Sequence, residues 1–382
     1  MKRLPITPEE PPRRIACILT GRDLSTEVVA AMNLVRFVRM SEALVRRGHH
    51  VDLVVKTTVN GRWPCAPGLS AVSIDTVRWD DYDVIKTFFH AGFDALQKAG
   101  GGDHPFIVSN LGSVVANEDV EGVYFYDDVR SQLWDVQQTV ASRSRVISLL
   151  NDPNHNLFVR MHGDDGRLIR VPTGVDAEIP EPGENPYRAL GITRPVALYA
   201  GNIYSRDKQA LVNLLWQDRL NRLGRELWER GIQLVVMGPG AIDHIDSAVV
   251  KHVGLIDYRD VWTWQHHAAV GVTLAQGLVQ DNESSKIYYY LRTGLPVVCE
   301  APVPNAHLVS DTGHGAVVAY HERDLSAVAE AAVQLVRHRP DARGVVPYMI
   351  EHHSWDARAA VYEPYLAAAG DSTGSPRQDM YA

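Results

Sequence analysis

Short apolar runs alternate along this chain with longer amphipathic stretches, and the alternation begins afresh past residue 186. Apolar runs too short for a buried helix, each followed by a helical pattern, are what βα units around a parallel sheet require. The first series predicts strands over residues 15–20, 51–55, 83–87, 106–108, 123–126 and 146–149. Leu34, Phe37, Val38, Met40, Ala43 and Leu44 lie near helical spacing, in a helix that runs to Arg47 and stops at Gly48. The second series predicts strands over 196–200, 233–237, 270–274, 296–299 and 316–319, after a junction at 172–176 and a Pro- and Glu-rich linker at 179–186. A chain of 382 residues is longer than one core usually reaches. Two α/β domains are therefore expected, 1–172 and 173–349, with a terminal helix within 350–370 and a polar, disordered tail over 371–382.

Composition removes several function classes. Lys and Arg number 38 against 46 Asp and Glu, a net charge of −8, which lacks the basic footprint that a nucleic-acid backbone selects. Cys17, Cys65 and Cys299 are few and far apart, which predicts reduced thiols. The histidine pairs His49-His50, His266-His267 and His352-His353 are adjacent in sequence, so their side chains diverge and no metal site is expected. The polar, proline-rich first 14 residues and the lack of any apolar run of about 18 residues predict a cytoplasmic protein. The first strand-to-helix turn, Thr20-Gly21-Arg22-Asp23-Leu24-Ser25, is not Gly-x-Gly-x-x-Gly, which argues against a dinucleotide-dependent dehydrogenase.

The chemistry concentrates in the second half. Asp281, Asn282, Glu283, Ser284, Ser285 and Lys286 form a polar loop feeding an apolar helix that ends at Gly294 and continues into the Pro296 to Cys299 strand. A helix N-terminus favours negative charge, and hydroxyls with a lysine there suit a phosphate. At the end of the 196–200 strand, Gly201 and Asn202 are followed by Arg206 and Lys208, cations able to stabilise a departing diphosphate or simply to solvate a helix start. Met237-Gly238-Pro239-Gly240 is a second glycine turn after a strand, and Leu255, Ile256 and Asp257 follow Gly254. In the first half, His90 ends a strand at the expected cleft edge. Asp127 and Asp128 follow the 123–126 strand and suit either a general base or the cap of a helix over 131–140.

The order of these segments resembles the GT-B glycosyltransferases, two Rossmann-like domains facing a central cleft with a C-terminal helix crossing back to the first. Gly201 and Lys208 match the glycine and lysine of the phosphate clamp of glycosyltransferase family 4, whereas Asn202 stands where arginine is common. Of the two glutamates typical of that family, the first position is Asp281 and the second Tyr289. Ser284, Ser285 and Lys286 are similar to a segment of the xanthan glucuronosyltransferase branch that faces the nucleotide, and Asp128 stands where that branch has its acceptor-activating base. The resemblance further places Leu255 to Asp257 around the nucleobase and Gly21 and Gly238 in the donor site.

The resemblance implies a metal-independent, cytoplasmic glycosyltransferase that needs no cofactor and takes a UDP- or GDP-sugar as substrate. Its second domain would hold the nucleotide-sugar donor and its first a small-molecule, glycan or lipid-linked hydroxyl acceptor. His90, Asp128, Arg206 and Lys208 would be catalytic; Gly21, Gly201, Asn202, Gly238, Leu255, Ile256, Asp281, Glu283, Ser284, Ser285, Lys286 and Tyr289 would bind the donor. Arg36, Arg39, Arg46 and Arg47, beside the apolar face of the first helix, offer peripheral contact with an anionic membrane. The lost glutamate at Tyr289 and lost arginine at Asn202 keep a non-catalytic nucleotide-sugar or partner-binding protein, and a nucleotide-sugar epimerase of the same fold, as alternatives.

Overall fold

The computed structural model describes residues 11–19, 32–56, 62–116, 127–201, 203, 210–240, 242–275 and 283–370. The first sheet contains β1 (Arg14–Ile18), β2 (His50–Val55), β3 (Arg62–Ala66), β4 (Leu69–Ser73), β5 (Val84–Phe88), β6 (Ile107–Asn110), β7 (Val146–Leu149) and β8 (Leu168–Arg170). Their order is β3-β4-β2-β1-β5-β6-β7-β8, parallel except for the β3–β4 hairpin at one edge. The second contains β9 (Val196–Ala200), β10 (Gln233–Met237), β11 (Val250–Gly254), β12 (Val270–Thr273), β13 (Val297–Glu300) and β14 (Gly315–Val318), in the order β11-β10-β9-β12-β13-β14 and all parallel. Numbered from β9, that order is the 3-2-1-4-5-6 of a Rossmann domain.

Burial explains the apolar runs. Ile15 and Cys17 pack on one face of β1 while Ala16 and Ile18 pack on the other; in β9, Leu198 and Tyr199 likewise serve opposite clusters. Both sheets are covered on two faces, which is why their strands read as continuous apolar runs rather than as alternation. One apolar cluster runs from Ile15 and Phe37 through Val175 to Tyr290 and Trp355, so the two sheets share a core.

The chain returns to the first sheet at its end. Ser354 pairs with Val175 in an isolated bridge and caps the helix Trp355–Ala360, its hydroxyl accepting from Ala357 N. That helix packs on the first helix, Met32–Arg46. Arg46 grips Asp356 with two hydrogen bonds of 2.8 and 3.1 Å, Arg47 pairs with Glu363, and Arg39 pairs with Glu42 and Asp176. Arg36 donates to Thr173 and approaches Glu283. All four arginines of the basic face thus have carboxylate partners in the same chain, Arg36 buried and Arg46 about half exposed. No helix among the described residues is long and apolar enough to cross a membrane.

The expected strands fall within a few residues of those observed, with exceptions. The hairpin β3–β4, the three-residue β8 and the strand β11 were not foreseen. The helix expected over 131–140 runs Asp127–Arg143, so both aspartates lie in its first turn and neither is the residue that precedes it. The expected strand 123–126 and tail 371–382 lie outside the described residues. Cys17 and Cys299 are buried, Cys65 exposed, and all three are free thiols.

Candidate functional site at the carboxyl ends of the second sheet

In an open parallel sheet the ligand crevice lies outside the carboxyl ends of the strands, where the order reverses. Here that point falls between β9 and β12. Their pairing is confined to Val270 with Ala197 and Gly271 with Leu198, after which the strands part. The hydroxyl of Tyr290 fills the gap, donating to Leu198 O at 3.0 Å and accepting from Ala200 N at 2.7 Å. Its ring fits because residue 271 is glycine: a Cβ there would lie 2.4 Å from Tyr290 Cδ2. Tyr290 therefore satisfies the backbone groups that the parting strands would otherwise bury unpaired.

Helix Ser285–Arg292, which carries Tyr290, begins at this opening. Lys286, in its first turn, lies with Nζ 4.9 Å from the centre of the Tyr199 ring. Gly201 leaves room for it: a Cβ there would sit 3.0 Å from that Nζ and from the Tyr199 hydroxyl, so a larger residue would push on both. Burial lowers the Lys286 pKa to about 8. No described carboxylate pairs with it. A half-buried ammonium with no anion beside it, at a helix start, is a site that a diphosphate would complete.

The loop before this helix is fixed at its end. Ser284 N donates to Asn305 Oδ1 at 2.8 Å and Asn305 Nδ2 donates to Ser284 O at 2.9 Å. The Ser284 hydroxyl makes no cap bond and is buried without a partner among the described residues. Glu283 accepts from Thr173 N and Thr173 Oγ1, both at 2.6 Å, and from Tyr288 at 3.0 Å, with Arg36 3.6 Å away; its side chain is 2% exposed. Glu283 thus ties the candidate site to the junction and the first helix. Tyr289 lies beneath, its hydroxyl 3.3 Å from that of Tyr258, which donates to Asp176 at 2.9 Å, and its ring against Trp262. All three tyrosine rings, Tyr288 to Tyr290, are buried.

Gly238 follows β10, its N–H donating to Gly254 O at 2.8 Å. Leu255, just past β11, is 50% exposed at the same sheet edge, and Ile256 is half-buried beside it. In the first sheet, His90 follows β5. It is buried, lies 3.4 Å from Gln137 Oε1, and desolvation lowers its pKa to about 4, so it is neutral at pH 7. Phe89, between them, has φ of +59°, a strained turn at the point where this sheet's order reverses. Asp128 lies on the first turn of its helix. Gly21, Asn202, Arg206, Lys208 and Asp281 lie outside the described residues.

Sequence reasoning took the Tyr290 ring as core packing and missed the bonds its hydroxyl makes, and it passed over Asn305 and Phe89. The bonds of the first two span 90 and 21 positions, and no local pattern announces them.

No family model matches the chain, and neither does any curated protein sequence. Solved structures do. The sucrose-phosphate synthase of Thermosynechococcus elongatus superposes with a TM-score of 0.68 at 15% identity, over 93% of this chain and 100% of that one. HepE of Anabaena, in complex with UDP-glucose, gives 0.66 at 11% identity, over 93% and 100%. WaaG, a glycosyltransferase involved in lipopolysaccharide biosynthesis, gives 0.57 at 14%, over 95% and 100%. The chain has the GT-B glycosyltransferase fold. In GT-B terms, the first sheet with the returning helix Trp355–Ala360 is one Rossmann-like half and the β9 to β14 sheet the other.

Proposed function

We propose that the chain is a glycosyltransferase that moves a sugar from a nucleoside diphosphate sugar, a UDP- or GDP-sugar, to a hydroxyl acceptor. The observation that carries the reading is Lys286 beside Gly201 at the reversal point between β9 and β12, a cation with no carboxylate partner among the described residues, where this sheet order binds nucleotides. Residues 173–349 would hold the donor, and 1–172 with 350–370 the acceptor. Lys286, with Arg206 and Lys208 next along the chain from Gly201, would stabilise the diphosphate as the bond from the anomeric carbon to its oxygen breaks. Ser284 would donate to a phosphate oxygen, Leu255 and Ile256 would flank the base, and Asp128 would take the acceptor proton as the new bond to the anomeric carbon forms. Tyr289 has no carboxylate for the ribose.

A panel of UDP- and GDP-sugars, scored for release of nucleoside diphosphate with and without hydroxyl acceptors, tests this. Binding of every donor without release from any would favour a non-catalytic role.

Two further outcomes are expected. Because fixed cations meet the leaving group, turnover persists in EDTA; loss on chelation with rescue by magnesium or manganese would replace this mechanism with a metal-assisted one. Asp128→Asn keeps donor affinity but lowers transfer about 10²-fold or more, the usual scale of general-base catalysis. The product of the native chain then shows inverted anomeric configuration by NMR. A retained anomer together with an active Asn variant would leave Asp128 to the helix start alone.

A further inference from the structure

At the opposite edge of the second sheet, where β9 and β12 begin, lies a half-open cavity of about 530 Å3. This volume is in the range of small-ligand sites, roughly 300–1,000 Å3. Arg188, Arg194, Arg339, His266 and His267 line it with Thr193, and no carboxylate does. Several arginines elsewhere in this acidic chain pair with carboxylates: Arg46 with Asp356, Arg167 with Asp165, Arg219 with Glu300, Arg259 with Asp257. Among the described residues no ion pair joins Arg188, Arg194 or Arg339 to a carboxylate. Arg194 is held flat over the Trp228 ring, 3.7 Å from its centre, with Nη1 donating to Trp228 O. His267 Nε2 donates to Gly183 O, which presents Nδ1 as the remaining ring nitrogen. Glu181 acts on His266 in the other direction, but burial, His267 and Arg339 together lower the His266 pKa.

We propose that this cavity is a second binding site, for a compact polyanion of diphosphate or phosphorylated-metabolite class, distinct from the candidate donor site across the sheet. Strands of five residues at about 3.3 Å each separate the two by roughly 16 Å, too far for one small ligand to span. The cavity is lined by the end of one helix that packs at the donor edge and, through Arg339, reaches the turn after the other. His266 and His267 end the helix Val261–His267, whose Trp262 packs on Tyr289 at 5.4 Å. Arg339 Nη2 reaches Gly294 O, in the turn that closes the helix Ser285–Arg292, at 3.4 Å. An anion here competes with that carbonyl for Arg339.

Calorimetric titration with inorganic pyrophosphate decides the matter, whatever the enzyme's turnover. Binding is expected to persist in Lys286→Ala, which removes the cation of the other edge, and to weaken about tenfold or more in Arg188→Ala/Arg339→Ala, the scale of losing charged hydrogen bonds. Neither arginine has a carboxylate partner among the described residues to strand, so that variant should fold, with an unchanged circular dichroism spectrum as the check. Absence of binding to the native chain, loss of all binding in Lys286→Ala, or full binding in Arg188→Ala/Arg339→Ala would overturn the proposal and leave these cations as complements of helix C-termini.

Discussion

Lys286→Met is expected to lower kcat by about 10²-fold or more, the cost of losing one preorganised charge at a developing anion. The same change should raise the thermal stability of the unliganded protein, because the native amine is half-buried with no carboxylate partner among the described residues and methionine fills the space apolarly. Opposite signs for rate and stability would mark a residue kept for chemistry. The pH dependence follows from the lowered pKa. Below about pH 8 the folded amine is protonated and can meet a diphosphate; above it the amine is neutral. Donor affinity therefore falls as pH rises through about 8, and Lys286→Met removes that step. The stability linkage has the other sense: between about 8 and the ordinary lysine value of 10.5 the unfolded chain binds more protons, so unliganded stability rises with pH across that window and is flat below it. A variant with native turnover, or a donor affinity that ignores pH between 7 and 9, would remove Lys286 from the donor site.

The fold was legible because buried parallel strands announce themselves. Val146–Leu149, Val196–Ala200 and Gln233–Met237 are almost wholly apolar, broken only by Ser148 and Gln233, and each is a strand over the residues expected. The edge hairpin was not legible. Arg62–Ala66 holds Pro64 and Cys65 and pairs only on one side, so neither composition nor alternation marks it. The polar loop with Lys286 also stood out, since hydroxyls and a lysine at a helix start have a local cause. What it bonds did not. Glu283 finds Thr173 at a separation of 110 positions, and Arg46 finds Asp356 at 310. The carboxylates that Arg36, Arg46 and Arg47 meet likewise lie far from them in sequence, where no helix pattern reveals them.

Glu300→Gln should be the most destabilising single change near the donor edge. Glu300 ends β13 and Arg219 stands on the helix Ala210–Glu229; their side chains are 1% and 8% exposed, joined by two hydrogen bonds of 2.6 and 2.8 Å. Arg219 also donates to His321 O and Glu322 O, each at 2.7 Å, and Glu300 accepts from Ala275 N at 2.7 Å. Ala275 is the last described residue before the stretch leading to Asp281, so the pair fixes where that stretch departs from β12. Neutralising Glu300 leaves Arg219 buried and uncompensated, which costs about 3–5 kcal/mol. For a unit of this size the melting temperature falls roughly 10 °C. Arg219→Met/Glu300→Leu should recover part of the loss, since apolar replacement of a buried pair is often tolerated. It should not recover all, because Ala275 N and the two carbonyls lose their partners at about 1–3 kcal/mol for each buried group left unsatisfied. A weaker donor KM in Glu300→Gln, measured below its melting temperature, would show that the pair also positions the donor loop. A melting temperature within about a degree of the native chain would mean that water reaches Arg219 and that the pair is an ordinary surface contact.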